Sequence, residues 1–153
     1  MGGVCRSPTG NWHVWRLVMD ISTKCQLLID NSHCGDLTIN DLELAMYVAH
    51  LHLFAPKMDP LEYIGTLVDN TDTEGWARRG IIIAETSVGP LLQEEACTTR
   101  QAHIHVSVER IAGIDNKEAD ATSRLTHLTV HYFLKHFQST FPHSYPWRLC
   151  LLL

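Results

Sequence analysis

The sequence predicts a mixed α/β domain, because short alternating stretches typical of strands are interspersed with longer apolar stretches typical of helices. Its 153 residues suffice for one hydrophobic core, and a composition of 45% hydrophobic and 19% charged residues is ordinary for a globular protein. The formal net charge of -5 argues against a strongly basic nucleic-acid or membrane binder. In residues 1–75 the acidic side chains outnumber the basic ones, whereas in residues 76–153 they do not. The second half of the chain could therefore present a basic face.

A β-hairpin is predicted at the start of the chain. The stretches MGGVC and NWHVWRLVM are compatible with strands, and RSPTG between them contains the turn formers Pro and Gly. Residues 20–36, which follow, show no readable pattern. Together with the later strands, the hairpin implies a mixed sheet flanked by helices.

The segment 38–54, TINDLELAMYVAHLHLF, predicts a helix that Asn40 can cap and that ends before the prolines of APKMDP. Its apolar residues form one core stripe and a second flank, namely Leu42, Ala45, Met46, Ala49 and Leu53, then Leu44, Val48 and Leu51. Glu43, Tyr47 and His50 lie along the seam between them. An acid beside a buried surface needs a compensating partner, so Glu43 requires a basic side chain, a capping role or a metal ion.

The second half alternates between strands and helices. YIGTLV predicts a buried strand that delivers Asp69 and Asn70 at its end, just before the helix DTEGWARRG. SVGPLLQEEACTTRQA predicts a helix with a proline in its first turn, and HIHVSVERI predicts a strand. In that strand, Ile104, Val106 and Val108 point inward.

Two further helices complete the predicted domain. NKEADATSRL opens a helix that carries Asp120 one turn after Asn116, and TVHYFLKHFQ forms a last amphipathic helix. The predicted boundaries are 1–138 for the domain and 139–153 for a C-terminal extension that includes FPHSYPWRL.

Three widely spaced acids stand out, namely Glu43 on a helix, Asp69 at a strand end and Asp120 on a late helix. Separated carboxylates of this kind can converge on divalent cations at the carboxyl end of a sheet, where oxygen ligands suit Mg²⁺ or Mn²⁺. The segments TINDLELA, LVDNTDTEGW and IDNKEADATSRL resemble the three later acidic motifs of ribonuclease H domains, especially those that follow the reverse transcriptase in retroelement polyproteins. GPLLQEEA, VERIAGIDN, SRLTHL and the closing FP…PWRL are also similar to retroelement sequence, so the resemblance covers nearly the whole chain.

The resemblance implies a five-stranded ribonuclease H-like sheet and assigns Glu43, Asp69 and Asp120 as ligands of two Mg²⁺ or Mn²⁺ ions. Those ions would activate a water molecule to cut the RNA strand of an RNA–DNA hybrid, with the 2′-hydroxyls and groove shape distinguishing RNA. The candidate phosphate contacts are Asn70, Thr71, Arg110 and Lys117, with Arg78 and Arg79 as weaker candidates. An adjacent reverse transcriptase domain is the implied protein partner.

The chain departs from the family pattern at its beginning. The family carries a fourth acid in an Asp-x-Ser motif on its central first strand, whereas this chain opens at a segment similar to the start of strand two. Asp20 does not match the motif. We therefore expect an N-terminally truncated domain with low stability and with little or no cleavage. The loop AGIDN also lacks the histidine that many cellular members place there.

Simpler roles exist for each acid. Glu43 can interact with the helix dipole or with a cap, Asp69 can be an N-cap, and Asp120 can be a solvated helix acid; Asp115 fits a cap better than a ligand. The ten histidines, among them His127 and His131, His50 and His52, lack the neighbouring Cys or carboxylate of a usual zinc site. The four tryptophans fit core and rim positions better than base-stacking platforms.

Cysteine spacing and the termini bear on the compartment. The five cysteines form no C-x-x-C pair and are interpreted as reduced thiols. No signal peptide or membrane span is evident, which favours a cytoplasmic or nuclear protein without a membrane partner. Two functions compete: a retroelement ribonuclease H-like nuclease domain, or a non-catalytic remnant that binds nucleic acid weakly or packs beside a polymerase domain.

Overall fold

The computed structural model describes residues 1–19, 37–79 and 88–150 of the chain. The chain divides into two compact units. Unit 1 comprises Met1–Met19 with Ile114–Leu153, and unit 2 comprises Asp20–Gly113. The predicted α/β class is confirmed, since both units combine helices with strands.

In chain order, the helices and strands are β1 (Gly2–Arg6), β2 (Trp12–Arg16), α1 (Ile39–Phe54), β3 (Tyr63–Val68), α2 (Thr71–Arg79), α3 (Val88–Ala102), β4 (His105–Arg110), α4 (Lys117–Arg124), α5 (Val130–Thr140) and β5 (Arg148–Cys150). Short 3₁₀ turns follow α1 and precede α4. Among the described residues, no helix has the length and apolar character needed to cross a membrane.

Unit 1 is built on a three-stranded mixed sheet in the order β1-β2-β5. The predicted hairpin is confirmed: β1 and β2 run antiparallel with Val4 opposite Val14, and Gly10 adopts a φ of +85° in the turn that joins them. β5 lies parallel to β2, with Leu149 opposite Val14. The strand β5 falls inside the segment 139–153 and was not expected from the sequence.

The core of unit 1 forms between this sheet and the two late helices. Its buried residues are Val14, Phe133, Phe137 and Trp147. The indole N–H of Trp147 donates a hydrogen bond to the carbonyl of Phe141 at 2.7 Å, which satisfies the only polar group of a buried ring. Trp15 is also almost completely buried, so the prediction of core tryptophans is confirmed for this unit.

Helix α4 approaches β1 closely at Gly2. A Cβ at this position would overlap the buried hydroxyl of Thr122 and lie 2.5 Å from the carbonyl oxygen of Trp15. Only glycine therefore allows the helix to rest against the strand at this point.

Unit 2 contains a two-stranded parallel sheet in which Tyr63 lies opposite His105 and Val68 lies opposite Arg110. The helices α1 and α3 contribute to the core that covers the sheet. The buried residues of this core are Leu44, Tyr47, Val48, Leu51, Ala55, Ile64, Val88, Leu92, Ile104 and Val108. The predicted inward face of β4 is confirmed at Ile104 and Val108, while Val106 is half-buried.

The N-cap of α1 is Thr38, so the prediction of Asn40 as its cap is wrong. The hydroxyl of Thr38 accepts a hydrogen bond from the backbone N–H of Asp41, whose carboxylate accepts one from the backbone N–H of Thr38 in return. The side chain of Asn40 does not cap the helix, because it forms hydrogen bonds with the side chains of Asn70 and Asp72.

The buried face of α1 also differs from the predicted stripe. Leu44, Val48 and Leu51, predicted as a second flank, are almost completely buried together with Tyr47. In the predicted main stripe, Leu42 and Leu53 are buried as expected, whereas Ala45, Met46 and Ala49 are only half-buried. The helix is apolar on nearly every side, so its sequence periodicity alone does not select the face that meets the sheet.

The predicted fold was a single mixed sheet, whereas the described strands form the two sheets given above. Residues 20–36, including Asp20, Cys25 and Cys34, lie outside the described part of the chain, as do residues 80–87 and 151–153. The remaining helices lie where the sequence predicted them, including α3 with Pro90 in its first turn.

Candidate functional site

Glu43 lies on the fifth residue of α1 and is half-buried. The cap of this helix is made by Thr38 and Asp41, so Glu43 does not serve as a capping residue. The part of the chain that the structure describes supplies no hydrogen bond or ion pair to the Glu43 carboxylate.

Asp69 follows directly after the last residue of β3 and is exposed. It is not the N-cap of α2, because the side-chain oxygen of Asn70 accepts the backbone N–H groups of Asp72 and Thr73, each at 2.9 Å. The backbone at Gly113 comes close to Asp69: a Cβ built on this glycine would lie 3.8 Å from Asp69 Oδ2. Asp69 thus stands at a strand tip, beside the loop that follows β4.

The two acids of unit 2 influence each other electrostatically. Burial raises the pKa of the Glu43 carboxyl above its ordinary value, and the negative charge of Asp69 raises it further. The protonation of Glu43 therefore responds to the charge of Asp69. A cation between the two carboxylates would turn their repulsion into a favourable interaction, which is how carboxylate pairs hold divalent ions.

Asp120 lies on α4 in unit 1, whereas Glu43 and Asp69 belong to unit 2. Its carboxylate forms an i,i+4 ion pair with Arg124 at 2.8 Å, and both side chains are substantially exposed. This local geometry is that of a solvated helix acid. Across residues 1–19, 37–79 and 88–150, no three His, Cys, Asp or Glu side chains are grouped as a metal site would need.

The predicted nucleic-acid contacts fall at the ends of elements. Arg110 ends β4 and Lys117 begins α4, and both are exposed. Thr71, the first residue of α2, is also exposed, whereas the side chain of Asn70 is already used in capping α2 and in bonding Asn40. The N-cap residue of α4 is Asn116, so Asp115 does not have the capping role proposed for it.

A partly buried hydrogen-bonded pair that the sequence did not reveal connects α1 with α3. The hydroxyl of Tyr47 donates a hydrogen bond to Glu95 Oε1 at 2.6 Å. Burial raises the pKa of both side chains, and the bond to Glu95 raises that of Tyr47 further. Tyr47 was placed beside Glu43 by helical spacing, but no pattern in the sequence indicates a partner from a distant helix.

His50 lies one turn beyond Tyr47 and is half-buried. Burial lowers the pKa of its imidazole to about 4, so the ring is neutral at pH 7. The ring packs against Phe54 with a centroid separation of 4.7 Å. His50 thus presents a neutral ring that packs against an aromatic side chain of the same helix.

Replacing Glu43 with Gln is expected to stabilise the metal-free protein at pH 7 by up to about 1 kcal/mol, once screening by solvent is allowed for. A carboxyl whose pKa is raised on folding stabilises the protein below its unfolded pKa, and this contribution is lost as pH rises through the folded value. The advantage of Glu43→Gln should accordingly shrink toward pH 4. Urea unfolding at several pH values measures it, with the exposed Glu109→Gln as control. A Glu43→Gln variant less stable than wild type at pH 7 would contradict this account.

Comparison of the chain with family models, with curated proteins and with solved structures finds no match. The functional argument therefore depends on the residues themselves.

Proposed function

We propose that the chain is a ribonuclease H-like domain of a retroelement polyprotein, whose parent activity is metal-dependent endonucleolytic cleavage of the RNA strand in RNA–DNA hybrids. The observation that carries the proposal is the electrostatic interaction between two carboxylates, those of Glu43 and Asp69. They come from different elements, neither caps a helix, and the charge of one raises the pKa of the other.

The donor set of this pair fits a divalent cation. Glu43 and Asp69 would hold the ion, since carboxylate oxygens are the ligands that Mg²⁺ and Mn²⁺ prefer. Such ions activate water and stabilise the leaving oxygen in phosphodiester cleavage. Asp69 is exposed at the strand tip and is therefore accessible to a phosphodiester, while the half-buried Glu43 is surrounded by a less polar environment that strengthens its attraction for a cation.

The exposed Arg110 and Lys117 are the proposed phosphate contacts to the hybrid, and contacts to 2′-hydroxyls would distinguish RNA. In the family pattern that the motifs resemble, four acids share the site. This chain matches three of them, and Asp120 is paired with Arg124. We therefore propose weak cleavage for this chain. An adjacent reverse transcriptase domain is the protein partner that the same resemblance suggests.

The test is cleavage of a labelled RNA–DNA hybrid in Mg²⁺ and in Mn²⁺. The wild-type chain is expected to give weak cleavage that EDTA abolishes, and Asp69→Asn is expected to reduce it to background because a metal-binding carboxylate is lost. The exposed Asp59→Asn makes the same charge change and should retain wild-type cleavage. Cleavage by Asp69→Asn at the wild-type rate would overturn the proposed site.

A second candidate is a non-catalytic module that binds nucleic acid weakly or packs against a polymerase domain. The observation that favours it is the Asp120–Arg124 ion pair, which gives Asp120 a local structural role. Under this alternative, neither wild type nor Asp69→Asn cleaves the hybrid. Hybrid binding that weakens with rising salt, and that is reduced in Arg110→Ala, would then identify a binding module.

A further inference from the structure

The strand β3 has one edge that does not face β4. The backbone N–H of His105 donates to the carbonyl of Glu62 at 3.0 Å, and that of Ile111 donates to the carbonyl of Val68 at 2.8 Å. In a parallel ladder, alternate residues direct both backbone groups to the same neighbour. The even-numbered residues of β3 therefore face β4, and Tyr63, Gly65 and Leu67 direct their N–H and C=O groups to the opposite side.

No strand of residues 1–19, 37–79 or 88–150 pairs with this outer edge, and its side chains are exposed. Among the strands of the described ranges, β3 pairs with β4 alone. The side chains of Tyr63 and Leu67 are 64% and 58% exposed, and Gly65 is exposed between them. The sequence YIGTLV contains no charge and no proline, which are the usual devices that prevent edge strands from pairing with other chains.

We propose that this edge pairs antiparallel with the same edge of a second copy of the chain, centred on Gly65, to form a continuous four-stranded sheet. In this register Gly65 faces Gly65 of the second copy, and Tyr63 faces Leu67. Every outward N–H and C=O of Tyr63, Gly65 and Leu67 then finds a partner, because all three belong to hydrogen-bonded positions of the new ladder.

The edge is self-complementary, which is the reason to favour a second copy over another partner. A two-fold axis through Gly65 brings an aromatic ring against an aliphatic side chain on both sides, a favourable cross-strand pair. No charge within β3 faces a like charge across the axis. Gly65 adds no bulk at the centre, since a Cβ there would meet only Ser107 Oγ, at 3.9 Å.

The first experiment measures the molar mass of the purified chain by sedimentation equilibrium across a range of concentrations. The wild type is expected to form a dimer, and Leu67→Lys is expected to raise the dissociation constant at least about tenfold by placing a charge on the edge. Tyr132→Lys removes an exposed aromatic side chain of α5 and should dimerise as the wild type does. A monomeric wild type, or an unchanged dissociation constant in Leu67→Lys, would overturn the proposal.

The second experiment tests the register by oxidative cross-linking. Cα atoms of a hydrogen-bonded antiparallel pair are about 5.5 Å apart, within reach of a disulfide, so Gly65→Cys should form a covalent dimer above the wild-type background. In Tyr63→Cys the two new thiols would be four residues out of register, about 13 Å apart, and should not cross-link. Cross-linking of Tyr63→Cys as efficient as that of Gly65→Cys would contradict this register. Circular dichroism of each variant confirms that it is folded.

Discussion

Phe133→Ala is expected to lower the free energy of unfolding of unit 1 by about 3–5 kcal/mol, as for other fully buried aromatic rings. Phe133 has no solvent exposure, and its ring contacts that of Phe137 with a centroid separation of 4.7 Å. On the side of the core that faces β2, the guanidinium of Arg16 lies 4.3 Å from the centroid of the Phe133 ring. Truncation would leave a cavity between the sheet and α5 that neighbouring side chains cannot fill without leaving their own contacts.

Urea unfolding followed by tryptophan fluorescence measures this loss, since Trp12, Trp15 and Trp147 all lie in unit 1. The neighbouring Tyr132 is 61% exposed, so Tyr132→Ala provides a matched control that should change stability by about 0.5 kcal/mol or less. Equal effects of the two substitutions would show that Phe133 is not a core residue of the folded chain.

The position of Phe133 illustrates what the sequence predicts well. The segment VHYFLKHFQ has aromatic residues four apart, at Phe133 and Phe137, and the structure buries both on one face of α5. Short-range patterns of this kind also predicted the hairpin, β3, β4 and α3. They depend on spacing within one element, which the sequence shows directly.

The features that were missed depend on contacts between distant segments. β5 is only three residues long and pairs with β2 from the far end of the chain, so no local pattern marks it. The choice of Thr38 over Asn40 as a cap depends on Asn40 bonding Asp72 and Asn70. Local rules favour either residue at this position, and the contact to another element decides between them.

The candidate site also combines features that the local sequence shows with features that depend on contacts between distant segments. The sequence singled out Glu43 because it is an acid on an apolar helix, and the structure adds that burial and the charge of Asp69 raise its pKa. The i,i+4 spacing of Asp120 and Arg124 was visible in the sequence and indicates the ion pair that the structure contains. The bond from Tyr47 to Glu95 joins two helices and could not be inferred from either one alone.

Arg16→Ala is expected to destabilise unit 1 by about 2–4 kcal/mol, because one side chain satisfies two backbone carbonyls and covers an aromatic ring. The guanidinium of Arg16 donates to the carbonyls of Leu125 and Leu128, both at 2.6 Å. Leu125 is the C-cap of α4, so Arg16 places a positive charge at the negative end of that helix. The carbonyl of Leu125 also accepts the backbone N–H of Leu128 at 3.2 Å, so Arg16 supplies a second hydrogen bond to it.

The forked shape of the guanidinium explains this contribution, since its separate N–H groups reach two acceptors while its central carbon lies over the Phe133 ring. Arg16→Lys keeps the charge but offers a single compact ammonium group, so it should recover only part of the loss. Arg124→Ala removes an exposed arginine that pairs with Asp120 on the same helix, and should cost about 0.5 kcal/mol or less. If Arg16→Lys were as stable as the wild type in urea unfolding, charge alone would account for the contribution of Arg16, and the bidentate cap would have no measurable role.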